Sequence, residues 1–212
     1  MIKLSNRLKA VAELVKPDSR VADIGCDHGY IPVYLIENAI AKNAIACDIN
    51  EKPLSACKTL VKQYGYEDRI QCLVSDGLDK VSGDSVDDII IAGMGGELIA
   101  DILSRCDYAC TKHLILNPMT HPEIARKWLY DNGFEILNDV IVQDAKHYYC
   151  VFDAVFTGTP EKKTRTDCFL GNISDFSKKE YFEHLLNYLS NKQKGGEDFG
   201  DVISAVNKIL EG

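Results

Sequence analysis

The 212-residue chain is long enough for one domain of ordinary size plus a small appendage, and too short for two large ones. Its 46% hydrophobic and 26% charged residues are those of a water-soluble globular chain, and no apolar run approaches the roughly 20 residues of a membrane span. A net charge of −8 excludes a surface that grips nucleic acid all round, which needs clustered Lys and Arg, and leaves room only for a local basic patch.

Residues 1–20 hold that patch, with Lys3, Arg7, Lys9, Lys16 and Arg20 against only Glu13 and Asp18. The segment has a helical pattern without the continuous apolar stretch of a signal peptide, so a cytoplasmic location is expected. A solvated helix face is the competing reading of the same charges. From Arg20 to Gly158, short β-branched runs alternate with longer segments of 3.6-residue period, which predicts βαβ units and a mostly parallel sheet. Strands are expected at Arg20–Gly25, Ala44–Ile49, Ile70–Val74, Asp88–Ala92, Leu114–Asn117, Glu135–Val142 and Tyr148–Phe156. Helices are expected at Ile31–Ile40, Lys52–Tyr64, Glu97–Arg105 and Pro122–Asn132.

The last two strands are separated only by Gln143–His147, too short for a crossover helix, and must pair antiparallel. An α/β chain with five strands joined by helices and a terminal hairpin predicts a Rossmann-like sheet of seven strands, of the class I methyltransferase kind. A nicotinamide-binding sheet is usually parallel throughout. Beyond Gly158 the pattern becomes helical, at Glu161–Leu170, Ser177–Gln193 and Asp201–Leu210. The expected organisation is therefore a domain over 1–158 followed by a C-terminal helical or coiled-coil domain over 159–212. Its free face is read either as an accessory substrate surface or as ordinary packing.

The eight cysteines fall mostly inside strands and helices, as reduced, buried thiols do. Cys106, Cys110 and His113 lack a second ligand pair at finger spacing, so no metal is expected.

The first strand runs into Asp23-Ile24-Gly25-Cys26-Asp27-His28-Gly29, placing a Gly-rich turn where doubly wound sheets bind nucleotides. In a dinucleotide fingerprint the second glycine lets backbone approach a pyrophosphate, but here that slot holds Asp27. A carboxylate there repels phosphate and suits the ammonium and sulfonium of S-adenosylmethionine, with Asp23 as a second acid. Gly25 and Gly29 permit a tight backbone and a close ligand, and Cys26 lies in the same turn. Asp48, ending the second strand beside Ile49, fits the ribose hydroxyls of either NAD or S-adenosylmethionine, and fits equally a helix cap. Ser75-Asp76-Gly77 follows the third strand, where an Asp accepts from an adenine amino group, although Asp-Gly turns are common. Gly93-Met94-Gly95-Gly96 after the fourth strand suits close approach of a planar acceptor, or else an anion-binding nest. Asn117 ends the fifth strand near the same rim.

Three strings, Asp-Ile-Gly-Cys-Asp-His-Gly-Tyr-Ile-Pro (23–32), Ile-Ala-Gly-Met-Gly-Gly-Glu-Leu-Ile (91–99) and Leu-Ile-Leu-Asn-Pro-Met (114–119), resemble the bacterial TrmK family. The resemblance runs from Leu4-Ser5-Asn6-Arg7-Leu8 to Tyr148-Tyr149. It implies S-adenosylmethionine as cofactor, a Rossmann-like domain with a C-terminal coiled coil, and methylation of N1 of adenine 22 in tRNA. Cys26, Gly29, Ser75 and Asn117 depart from the residues the family often places there.

Under that implication the cofactor is held by Asp23, Gly25, Cys26, Asp27, Gly29, Asp48, Ile49, Ser75, Asp76, Gly77, Gly93 and Met94. The acceptor is met by Asp27, His28 and Asn117, Asp27 stabilising the cationic product base. A base in folded tRNA must leave its stack, with Tyr30 and Met94 as candidate stacking surfaces. Phosphate contacts are expected from Lys3, Arg7, Lys9, Lys162, Lys163, Arg165, Lys178 and Lys179. A monomer is favoured. A methyltransferase for a small molecule or protein, and a non-catalytic adenosine- or RNA-binding module, are the rival readings.

Overall fold

A computed structural model describes all 212 residues. In chain order the elements are α1 (Asn6–Glu13), β1 (Ser19–Ile24), α2 (Tyr30–Glu37), β2 (Ala41–Asp48), α3 (Glu51–Tyr64), β3 (Ile70–Val74), β4 (Asp88–Gly95), α4 (Gly96–Ser104), β5 (His113–Thr120), α5 (Pro122–Asp131), β6 (Phe134–Asp144), β7 (His147–Phe156), α6 (Arg165–Leu170), α7 (Lys179–Lys194) and α8 (Gly200–Glu211).

The seven strands form one sheet in the order β3-β2-β1-β4-β5-β7-β6. Neighbours from β3 to β5 run parallel, while β7 is antiparallel to both β5 and β6. This is the expected Rossmann-like α/β sheet with its terminal hairpin. Central strands read as apolar runs because helices cover both faces: Ile89 and Ile91 belong to one hydrophobic cluster, Ile90 between them to the other. Strand order reverses between β1 and β4, which opens a crevice beyond their carboxyl ends.

One helix is defined, and two helix ends are shifted, relative to the sequence expectation for local reasons. The N-terminal helical pattern is a true helix, α1, that buries Val11 and Ala12. Helix α2 stops at Glu37 rather than Ile40, because Ala39 takes a left-handed φ of 53° and Ile40 N–H returns to the Leu35 carbonyl at 2.9 Å. Helix α6 starts at Arg165 rather than Glu161, because the side chains of Thr164 and Asp167 form a reciprocal capping box.

The C-terminal helices do not stand apart. Phe182 and Leu189 of α7 and Val202 and Val206 of α8 are fully buried in the same cluster as Phe152 of β7 and Leu129 of α5. Beneath them lies Arg126 of α5, which donates to both carboxylate oxygens of Asp139 at 2.8 and 2.9 Å and to the carbonyls of Cys168 and Phe169 at 3.1 Å. No helix is long and apolar enough to cross a membrane.

Candidate active site

The turn after β1 is stitched to β2: the N–H groups of Gly25 and Cys26 both donate to the Cys47 carbonyl at 2.8 Å. Gly29 N–H closes the turn on the Cys26 carbonyl at 2.8 Å, and Asp27 between them takes a left-handed φ of 49°. A non-glycine residue in that region stores strain, so the turn is held by its neighbours rather than by its own preference. Gly29 has a φ of 76°, and a Cβ there would strike Sγ of Cys57 on α3. Its missing side chain lets α2 and α3 close together.

Beyond this turn lies a cavity of about 320 Å³, lined among others by Arg7, Asp23, Asp27, Tyr30, Gly93 and Met119. Asp23, at the end of β1, is 3% exposed and has no hydrogen-bond or ion-pair partner. Burial, reinforced by the nearby Asp48 carboxylate, raises its carboxyl to about 7. Arg7 reaches the same cavity from α1. Its Nη1 donates to Oδ1 of Asn117 at 2.6 Å, its guanidinium lies 5.6 Å from the centre of the Tyr149 ring, and no carboxylate pairs with it. One cavity thus holds an unpaired cation and a buried, unpaired acid.

Around it, Asp48 stands at the tip of β2 with Oδ1 accepting from Asn50 N–H at 2.8 Å, and Ile49 beside it is largely exposed. Met94 lies over Gly25: a Cβ at Gly25 would meet the Met94 methyl, so β4 and the first turn touch there. Gly93 lines the cavity with open space where a side chain would be.

Several expected residues are engaged elsewhere. Ser75 is buried, its hydroxyl donating to the Gly77 carbonyl at 3.0 Å and accepting from Lys80 N–H at 3.2 Å, so it shapes its own loop. Gly77 turns against Ile102 of α4. The Asp76 carboxylate pairs with Arg105 at 3.1 Å, alongside Asp79 and Asp101. His28 lies 3.7 Å from Asp27 and 5.6 Å from the Tyr30 ring but does not line the cavity. Asn117 is fully buried, with Oδ1 taken by Arg7 and Nδ2 donating to the Cys150 carbonyl at 2.8 Å. Its amide thus holds the Arg7 guanidinium at the cavity.

Sequence reasoning counted Arg7 among the phosphate contacts and passed over Met119 as a site residue. A signal for Arg7 was present: it lies four residues before Val11 on one helical face, an inward position for a charge. Of the other expected phosphate contacts, Lys9, Lys163 and Arg165 pair with Glu13, Glu161 and Asp201. His113, once weighed as a metal ligand, is buried between Asp88 and Asp153.

A second cavity, of about 310 Å³, opens beside the first where β5, β7 and α7 meet, and Met119 lines both.

Residues 4–152 match the model of a methyltransferase domain family. The Bacillus subtilis tRNA (adenine(22)-N(1))-methyltransferase is 39% identical over 150 residues, which is 69% of this chain and 63% of that one. The alignment therefore spans somewhat less than two thirds of that curated relative. The crystal structure of the B. subtilis m1A22 tRNA methyltransferase TrmK superposes with a TM-score of 0.83 at 28% identity, covering 100% of this chain and 97% of that one. A proposed m1A22 tRNA methyltransferase of Streptococcus pneumoniae, in complex with S-adenosyl-L-methionine, gives 0.89 at 29% identity over 98% of this chain and 100% of that one.

Proposed function

The chain belongs to the methyltransferase domain family, and on that premise we propose that it moves the methyl group of S-adenosylmethionine to N1 of adenine 22 in tRNA. The observation that carries the cofactor is the pairing of unpaired charges in one cavity: Asp23 suits the ammonium of an amino acid and Arg7 its carboxylate. Asp48 is placed for ribose hydroxyls, and Ile49 offers an apolar face beside it. Residues 1–158 form the cofactor-binding unit in this reading, and residues 159–212 the helical unit.

When bound, the cofactor supplies an electrophilic methyl group: the N1 lone pair forms the new C–N bond as the C–S pair leaves on sulfur, and the base becomes cationic. Adenine N1 has its lone pair free, so the protein's main work is positioning. Asp27, lining the cavity on its strained turn, adds a carboxylate whose negative charge favours a cationic product. Asn117 acts one step back, by fixing the Arg7 guanidinium.

The substrate assignment draws on the B. subtilis relative and on the two solved neighbours named above. A radiolabelled methyl-transfer assay with unmodified tRNA, followed by nucleoside analysis, tests it. Label in 1-methyladenosine, abolished when adenine 22 is replaced by guanine, is the expected outcome. Label in protein, in another nucleoside, or nowhere overturns it.

A further inference from the structure

The second cavity differs in chemistry from the first. Its walls include Tyr148 and Tyr149 from β7 and Leu185 and Tyr188 from α7. No lysine or arginine lines it, so it is not built for a phosphate. At one end stands His121, in a left-handed backbone conformation with φ 53°, its Nδ1 3.0 Å from Glu123 and its Nε2 3.8 Å from Glu97. Cations stand only beside the cavity: Arg7 lies 5.6 Å from the Tyr149 ring centre and Lys192 5.9 Å from that of Tyr188.

A flat group with hydrogen-bonding edges fits tyrosine walls, because every base has a π face that stacks on an aromatic ring. A group that becomes a cation fits them better still, since tyrosine faces and the Glu123 carboxylate both attract positive charge. Lys192, paired with Glu197 at 3.5 Å, stands at the Tyr188 side of the cleft, where the backbone of an entering nucleotide would pass. Met119 is common to both cavities, so an occupant of the second is one side chain from the donor's cavity.

We infer that this cleft receives the acceptor adenine, flipped from the RNA, and that α7 supplies one of its walls. The inference rests on the proposed RNA methylation and moves the acceptor away from the Gly93–Gly96 rim toward Met119 and Tyr188. The C-terminal helices are then part of the acceptor site and not only a handle for the RNA body.

The test uses the full chain with Tyr188→Ala, Tyr188→Phe and Glu123→Gln. Tyr188 is 40% exposed, so its truncation leaves the core intact, and melting temperatures check this. Methylation of unmodified tRNA is followed at saturating S-adenosylmethionine, with cofactor Kd measured separately by calorimetry. Tyr188→Ala is expected to lower kcat at least tenfold with cofactor Kd within twofold of wild type. Tyr188→Phe, which keeps the ring, recovers most of that loss, and Glu123→Gln lowers kcat without moving Kd. A kcat within twofold of wild type in Tyr188→Ala overturns the inference. So does a change confined to KM with a shallower salt dependence, the mark of a residue that only docks RNA. In either case wild-type formation of 1-methyladenosine leaves the proposed function standing, whereas a wild type that labels no tRNA removes both.

Discussion

Asp23 and Arg7 hold opposite charges that no neighbour in the chain neutralises, and this makes both open to direct test. In the free protein the Asp23 carboxyl sits near 7 against an ordinary value of 3.8, chiefly through burial. A raised acid favours the folded state while it is protonated. That contribution is full below about 3.8 and is lost as pH climbs to about 7. Asp23→Asn removes the titration, so its melting temperature should gain on wild type between pH 5 and pH 8 in the absence of cofactor. Cofactor binding should move the other way: wild type binds more weakly as pH falls from 8 to 5, because Asp23 must ionise to meet an ammonium, and Asp23→Asn binds weakly at every pH. A flat difference in melting temperature across that range would place Asp23 at an ordinary carboxylate value. Arg7→Ala should raise cofactor Kd at least tenfold. Asn117→Ala should raise it less, since it frees the guanidinium without removing it. These residues were unequally legible. Asp23 could be read from its place at the end of the first strand, because strand position fixes which acids face the crevice. Asn117 was read in the correct strand but its engagement was not, since whether an amide is free or taken depends on α1, which lies far away in sequence.

Between elements, the contact that sets the cofactor turn is α2 against α3, and it depends on the absence of a side chain at Gly29. Alanine there meets two penalties, a left-handed φ worth about 1–2 kcal/mol and a collision with Cys57. Gly29→Ala should therefore lower the melting temperature and weaken cofactor binding together, and adding Cys57→Ala should restore only the part due to the collision. Full recovery in the double variant would show that the backbone conformation carries no strain. The same packing explains the thiols. Burial pushes Cys47, and hydrogen bonding with Cys26 followed by burial pushes Cys57, up to about 12, and Cys57 lies 3.6 Å from Cys72, so these sulfurs are poor nucleophiles. Of the eight cysteines only Cys110 is exposed, and titration of the native protein with a thiol reagent should show one fast equivalent, lost in Cys110→Ser. Several fast equivalents would mean that α2 and α3 open readily. Elements were the most legible level of this chain: periodicity placed every strand, because a sheet covered on both faces must be written in β-branched runs. The ends at Ala39 and Thr164 escaped it, since a left-handed alanine and a capping box are settled by local hydrogen bonds that a hydrophobic pattern does not record.

At the scale of the molecule, one buried ion pair joins the sheet to the C-terminal helices. Arg126 and Asp139 have fully buried side chains, and the pair is completed by the Cys168 and Phe169 carbonyls and by Asn172 N–H, which reaches Asp139 at 3.1 Å. Gly171 lies directly on the pair, where a Cβ would strike both side chains. Removing one partner strands the other charge in the interior, at a cost of about 3–5 kcal/mol, whereas replacing both with apolar groups is often far milder. Arg126→Met should thus lower the melting temperature strongly, and Arg126→Met with Asp139→Leu should recover part of it, short of wild type because the two carbonyls and Asn172 N–H still lose their partners. Since the hydrophobic cluster is continuous from Phe152 to Val206, wild type should unfold by calorimetry in one transition. Two transitions would show that the helices fold as a separate unit and only lean on the sheet. The stakes reach function, because α7 walls the second cavity while the first is built from α1, β1, the turn after it, α2, β4 and β5. Loosening the ion pair should then cost methyl transfer before it costs cofactor affinity, an order that reverses if α7 takes no part in the acceptor site.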